Sequence, residues 1–139
     1  MRLVVLILCC SLLLGGCAVL AGKDSASLPV IAERFSEAMR WQDYPSAVQF
    51  VEPQFRASFL EQFSEDRDLH VVDSRVEPAQ VDQEGGRAEV VYLLEYYRLP
   101  SNRVARWSWT QDWVRQSPGA AGETLWLIGN APPPLPWRE

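Results

Sequence analysis

Two neighbouring stretches decide the fold: Ala88–Leu99, AEVVYLLEYYRL, and Val104–Gln116, VARWSWTQDWVRQ. In the second stretch Trp107, Trp109 and Trp113 alternate with polar residues, as the two faces of a β-strand require. The first stretch is apolar on both faces in its middle, which is typical of a central strand. The turn residues 100–102 between them favour antiparallel neighbours.

The same period-2 pattern extends to both sides of this pair. Leu69–Val81 is predicted to be a strand, and the turn Gln83–Gly86 joins it to the central strand. Leu125–Ile128 is predicted to be a short last strand. The segment that follows, Asn130–Glu139, is rich in proline and cannot pair in a sheet, so we expect an extended polyproline tail.

Helical spacing dominates the chain before Asp68. Helices are predicted over Pro29–Trp41, over a short segment capped by Asp43, and over about Pro53–Glu65. Helices followed by consecutive strands indicate an α+β fold, with N-terminal helices packed on a four-stranded antiparallel sheet. The predicted apolar helix faces are Ile31, Phe35, Ala38 and Met39 in the first helix, and Phe55, Phe59, Leu60 and Phe63 in the third.

The amino-terminal residues have the features of an export signal. A basic start at Arg2 precedes the apolar run Leu3–Leu14, and small residues follow. The sequence Leu14-Gly15-Gly16-Cys17 resembles the lipobox of bacterial lipoproteins. The resemblance implies that Cys17 carries a diacylglyceryl group and that signal peptidase II cleaves between Gly16 and Cys17.

Two other interpretations of this segment stay open. Residues 3–22 carry no charge and are nominally long enough for an uncleaved membrane anchor, although the strongly apolar core is short. A plain secretory signal is the third alternative. For a Gram-negative lipoprotein, Ala18 in place of an aspartate favours the outer membrane, facing the periplasm.

The body of the chain also resembles a known family. Trp41-Gln42-Asp43-Tyr44 with Ala47, the strand containing Trp113, and the closing strand Leu125–Ile128 are similar to nuclear transport factor 2-like (cystatin-like roll) domains. The predicted organisation is a signal peptide over 1–16, a lipidated tether over 17–28, the roll over 29–129 and the proline-rich tail over 130–139.

Cysteine content and charge exclude several classes of function for the body. All three cysteines lie in the first 17 residues, which excludes disulfides, thiolate catalysis and cysteine-ligated zinc beyond them. Cleavage before Cys17 removes one of the 13 basic residues and none of the 18 acidic ones, so the net charge becomes −6. An acidic body argues against nucleic acid as a partner.

The tryptophan stripe is the main candidate site. One interpretation makes Trp107, Trp109 and Trp113 the core face against the helical phenylalanines. The other makes them a partly open pocket for an apolar ligand, which Tyr92 and Tyr96 on the neighbouring strand would join.

Other polar features predict no catalytic, cofactor or metal site. His70 is the sole histidine, and in a regular strand it shares a face with Ser74 while Asp73 points away. The acidic cluster Glu61, Glu65, Asp66 and Asp68 is interrupted by Arg67 and lacks the spacing of a calcium loop. A solvated or partner-binding face is predicted for Arg106, Ser108, Thr110 and Asp112, and the tail with Trp137 is a second possible partner surface.

These observations predict a non-catalytic binding or interaction module, anchored to the membrane by acylated Cys17. Its partner would be an envelope protein or an apolar ligand. The alternatives are a small-molecule enzyme of isomerase or hydratase type that uses a pocket of the roll, and a structural spacer of the envelope.

Overall fold

The computed structural model describes residues 27–64, 66–117 and 125–138. It confirms the predicted α+β class: three helices pack against a curled antiparallel sheet, as in a nuclear transport factor 2-like roll. The predicted signal peptide, Cys17, the rest of the tether up to residue 26, and Glu65 lie outside the described residues. The elements are α1 Leu28–Arg40, α2 Tyr44–Ala47, a 3₁₀ turn Val48–Phe50, α3 Pro53–Gln62, β1 Leu69–Val76, β2 Gln80–Val81, β3 Arg87–Arg98, β4 Ala105–Arg115 and β5 Trp126–Ile128.

The helices begin where the sequence provides caps and prolines. Proline lies in the first turn of each, where a missing N–H costs no intrahelical bond. The Asp43 side chain accepts a hydrogen bond from the Ser46 backbone N–H at 3.1 Å, as its predicted capping role requires. One apolar position in α3 was predicted wrongly: the Leu60 side chain is 41% exposed, whereas Phe59 and Phe63 are buried.

The sheet has the order β1–β3–β4–β5, so β3 is central as its two apolar faces predict. The predicted strand Leu69–Val81 is interrupted, because residues 77–79 leave the sheet around Pro78, which has no N–H to donate. The short strand β2 then pairs with β3 beyond β1. In the predicted turn between β2 and β3, Gly85 has φ +69°, which a glycine adopts without strain.

A β-bulge in β1 changes which side chains share a face. The register with β3 shifts between Val71, which lies opposite Tyr96, and Asp73, which lies opposite Glu95. His70 and Asp73 therefore both lie on the outer face of the sheet, whereas Ser74 is buried on the core face. The prediction that His70 shares a face with Ser74 was wrong, because the extra residue inverts the alternation.

The chain itself covers part of each outer edge of the sheet. Along β1, the Gln42 side-chain amide donates to the Leu69 carbonyl at 3.0 Å, and the Arg40 guanidinium donates to the Ser74 carbonyl at 2.9 Å. Along β5, the Glu52 backbone N–H donates to the Ile128 carbonyl at 3.0 Å. These bonds occupy edge groups that would otherwise be open to another chain.

The carboxyl-terminal segment, for which an extended polyproline tail was expected, packs on the domain. Leu135 is 2% exposed and belongs to the hydrophobic core. The Gln62 amide donates to the Pro132 carbonyl at 3.0 Å, and the Arg138 guanidinium donates to the Ser64 carbonyl at 2.9 Å. Trp137 lies 4.2 Å from the Tyr96 ring, measured between centroids. Burial of Leu135 and Trp137 supplies the free energy that holds the segment in place.

We expect Leu135→Ala to lower the free energy of unfolding by about 2–4 kcal/mol, because a buried leucine is lost and a cavity remains. Denaturant titration of the purified protein measures this change. The matched control is Leu60→Ala, which removes an exposed leucine and should cost less than about 1 kcal/mol. Equal effects of the two substitutions would show that the segment is not part of the cooperative fold.

Candidate functional site

The predicted tryptophan stripe forms the centre of an aromatic core. The Trp109 ring lies 6.1 Å from Phe35 and 6.4 Å from Phe59, and the Trp107 ring lies 5.7 Å from Phe63. Edge-to-face and tilted arrangements at these distances are favourable for aromatic pairs. The rings thus join β4 to helices α1 and α3.

All five predicted pocket residues, Trp107, Trp109, Trp113, Tyr92 and Tyr96, are buried. An open pocket would leave ring faces accessible to a ligand, whereas these rings are covered by other aromatic side chains and by Trp137. Their geometry therefore matches the core interpretation of the stripe, with the phenylalanines opposite it as that interpretation requires.

Sequence reasoning missed one polar member of the core. Gln111 lies between Trp109 and Trp113 on the same face of β4 and is fully buried. Its side-chain oxygen accepts a hydrogen bond from the Trp113 indole N–H at 3.0 Å. Its amide nitrogen has no hydrogen-bond partner among the described residues. The period-2 pattern that placed the tryptophans also places residue 111 inside, so the signal was present.

Three buried hydroxyl groups connect α1 to the sheet. The Ser74 hydroxyl donates to the Ser36 carbonyl at 2.8 Å, and its oxygen lies 3.0 Å from the Ser36 hydroxyl and 2.9 Å from that of Tyr92. Because Ser74 has one proton, which it donates to the carbonyl, the other two hydroxyls must donate to its oxygen. Each group in this network is bonded, so the network fixes the position of α1 on β1 and β3.

Burial raises the pKa values of three tyrosines of the core, Tyr44, Tyr92 and Tyr96, and most strongly those of Tyr44 and Tyr92. Burial raises the pKa of Tyr44 to about 12, and the nearby Asp66 carboxylate acts in the same direction. Burial also raises the pKa of Tyr92, and the hydrogen bond with Ser74 opposes this only in part. Both phenols therefore stay neutral in the folded protein at pH values where an exposed tyrosine ionises.

We expect the protein to lose stability as the pH rises from about 10 to about 12. In this window the unfolded chain releases its tyrosine protons first, so it binds fewer protons than the folded chain and stability falls. The chain contains a single lysine, Lys23, so few other groups titrate there. The measurement is the denaturation midpoint at several pH values. Tyr44→Phe should make the decrease of the denaturation midpoint with pH smaller. An unchanged decrease would contradict the assignment of this effect to Tyr44.

His70 and its sequence neighbours do not converge. The His70 ring stacks on Tyr97 with centroids 4.8 Å apart, and its Nε2 is buried without a partner among the described residues. The Asp73 carboxylate is bonded to Arg40 at 2.8 Å and to Arg75 at 2.6 Å. Ser74 lies on the opposite face of the strand.

Ion pairs form a ladder across the outer face of β1, β3 and β4. Glu95 binds Arg106 at 2.6 Å and Arg75 at 3.5 Å, and Arg75 also binds Asp73. The Arg75 hydrogen bond lowers the pKa of Asp73, and the Arg106 hydrogen bond lowers that of Glu95. Arg106, predicted to lie on the polar face of β4, is therefore one end of this ladder, while Ser108, Thr110 and Asp112 are exposed.

The acidic cluster at the end of α3 is partly used by the fold. Asp66 forms an ion pair with Arg98 at 3.2 Å and accepts a hydrogen bond from the Asp68 backbone N–H at 3.1 Å. Glu61 is exposed. Within the described residues, no group of three or more His, Cys, Asp or Glu side chains could hold a metal ion.

Two adjoining cavities lie where α1 begins and β2 ends. The first, here called the α1–β2 groove, has a volume of about 440 Å³ and is lined by Pro29, Ala32, Glu33, Val76, Glu77, Pro78, Ala79, Val81 and Val90. The second, here called the hairpin cavity, has a volume of about 460 Å³ and is lined by Gln80, Val81, Asp82, Arg87, Ala88, Glu89, Asp112, Trp113, Val114 and Gly129. Val81 lines both, so the two cavities adjoin at β2. Val81 and Val90 lie on the core face of the sheet, whereas Glu89 and Asp112 lie on its outer face.

A separate aromatic side chain is exposed on the helical side. Trp41 is 73% accessible, and its indole N–H donates to the Glu37 carboxylate at 2.7 Å. It lines a cavity of about 310 Å³ with Gln42, Tyr44, Asp66 and Arg67. A large exposed aromatic ring with a fixed orientation is typical of a protein-binding surface.

Comparisons of the chain with protein families, with curated proteins and with solved structures found no match. Among residues 27–64, 66–117 and 125–138, no helix is both long and apolar enough to cross a membrane.

Proposed function

We propose that the chain is a lipoprotein of the cell envelope whose domain is a non-catalytic interaction module. The observation that carries the proposal is Leu14-Gly15-Gly16-Cys17 at the end of the apolar run Leu3–Leu14. Processing at this sequence produces an amino-terminal Cys17 that carries acyl chains. In a Gram-negative cell, Ala18 after the cysteine favours an anchor in the outer membrane, with the domain facing the periplasm.

Acyl chains at Cys17 account for stable membrane attachment. A single chain gives marginal, reversible binding, whereas two or more anchor a protein firmly. The twelve residues from Cys17 to Pro29 span at most about 40 Å, so the anchor keeps the domain close to the membrane. The net charge of −6 after cleavage opposes contact of the domain with anionic lipids.

The distribution of accessible surface supports binding of a partner outside the core. Aromatic rings fill the space between the helices and the sheet. In contrast, Trp41 and the α1–β2 groove are accessible. A module with this arrangement binds through its surface.

Lipidation is tested by metabolic labelling of the full chain with radioactive palmitate in a Gram-negative host. We expect label on the wild type and none on Cys17→Ser, because Cys17 is the residue that receives the lipid. The double variant Cys9→Ser with Cys10→Ser is the matched control and should keep the label. Mass spectrometry that finds an unmodified Cys17 in the mature wild-type protein would refute the lipoprotein proposal.

The interaction role is tested by cross-linking in native membranes. We expect the wild type to recover the same envelope protein in repeated experiments, and Trp41→Ala or substitutions in the α1–β2 groove to reduce that recovery. Robust turnover of a small substrate by the purified protein would contradict the non-catalytic role and favour the enzyme alternative.

A further inference from the structure

We propose that the α1–β2 groove and the hairpin cavity together bind an extended peptide segment in which apolar side chains alternate with lysine or arginine. This inference rests on the proposed role as an interaction module and does not require the lipid anchor. It assigns the binding surface and the chemistry of the partner.

The groove offers apolar surface to a side chain of the partner. The apolar residues that line it include Val90, Ala32, Val76 and Ala79, of which Val90 and Ala32 are buried. At its open margin Val81 is 53% exposed, although the equivalent core-facing positions of β3 and β4 next to it are buried. An apolar side chain placed here would remove both its own surface and that of Val81 from water.

The charged residues that line the two cavities are mostly acidic. Five carboxylates line the two cavities, and one guanidinium, that of Arg87, accompanies them; the carboxylates are Glu33, Glu77, Asp82, Glu89 and Asp112. Glu33 and Glu77 form no ion pair with any described residue. The carboxylates of the outer ladder are, in contrast, each bound by two arginines. The unpaired carboxylates of the groove therefore attract a cationic partner.

One pair of these carboxylates costs stability in the free protein. Glu89 on β3 lies directly opposite Asp112 on β4 in the register of the sheet. Like charges at directly opposite positions are destabilising. A lysine or arginine of the partner placed beside this pair would relieve the repulsion, so binding gains from it as well as from direct attraction.

The strand edge at the groove suits an extended ligand. The side chains of Arg40, at the end of α1, and of Gln42, just after it, donate hydrogen bonds to carbonyls of β1. Apart from its pairing with β3, no hydrogen bond of the described residues reaches β2. An extended segment laid along β2 can pair with its free backbone groups, and its alternate side chains then face the groove. The same alternation places cationic side chains toward the carboxylates.

The test uses the full chain as the host produces it, in a non-ionic detergent, and a fluorescein-labelled nonapeptide of alternating lysine and valine, KVKVKVKVK. Binding is followed by fluorescence anisotropy. We expect saturable binding that weakens as salt rises, since exposed charge pairs are screened. The acidic peptide EVEVEVEVE should not bind. Glu33→Gln with Glu77→Gln should weaken binding by about fivefold, on the scale of two exposed ion pairs.

Val81→Lys should weaken binding of the cationic peptide more strongly than Glu33→Gln with Glu77→Gln does, because it removes apolar surface and adds a charge of the same sign as the peptide. Its matched control is Val104→Lys, at a valine that is 52% exposed and lies outside both cavities. Glu61→Gln, on α3, is the control for the glutamate substitutions. Both controls should bind as the wild type does, and circular dichroism checks that every variant is folded.

Equal binding by the groove variants and their controls would overturn the assignment, as would equal binding of the acidic peptide. Displacement of the peptide by submillimolar calcium would also overturn it in favour of a cation site. If cross-linking recovers a partner whose binding is lost in Trp41→Ala but kept in Val81→Lys, the groove inference fails and the interaction role stands. If the wild-type protein recovers no partner and binds no peptide, both the interaction role and the groove inference fail.

Discussion

The rest of the structure depends on the packing of the Phe35 ring against the aromatic face of the sheet. This ring is fully buried and lies 5.3 Å from Tyr92, 6.1 Å from Trp109 and 6.4 Å from Trp113. Large aromatic side chains contribute most of the burial in a core of this size. Because three tryptophans project from one face of β4, that face must be covered, and only helices from one side can cover it while the other face stays polar.

The sequence predicts this part of the fold because period and composition are local properties. Alternation in β4 and helical spacing around Phe35 are visible without knowledge of the partners. The bulge in β1 is not visible, since one extra residue leaves composition unchanged but moves Asp73 to the face of His70. In the same way, proline content predicts that the last segment cannot pair, but not that Leu135 finds a place in the core.

The candidate surface was beyond prediction for a related reason. Glu33, Glu77 and Asp112 are far apart in the chain, and each alone is an ordinary exposed carboxylate. The register of β3 with β2 and β4 and the position of α1 bring them to two cavities that adjoin at β2. The aromatic residues suggested a pocket, but they are buried in the core and stabilise the fold. The accessible polar residues lie at the surface, where a single position in the sequence indicates little about function.

The proposed anchor and the proposed binding surface are close in the sequence. Pro29 lines the α1–β2 groove, and it is twelve residues after Cys17 in the sequence. Twelve residues span at most about 40 Å, so an anchor at Cys17 would hold a segment bound in the groove near the membrane surface. The local concentration of the domain then becomes that of a surface layer, which compensates for the modest strength of exposed ion pairs. The proposed lipid anchor would keep the acidic groove beside a cationic partner in the same envelope, so a moderate affinity of the groove would be sufficient.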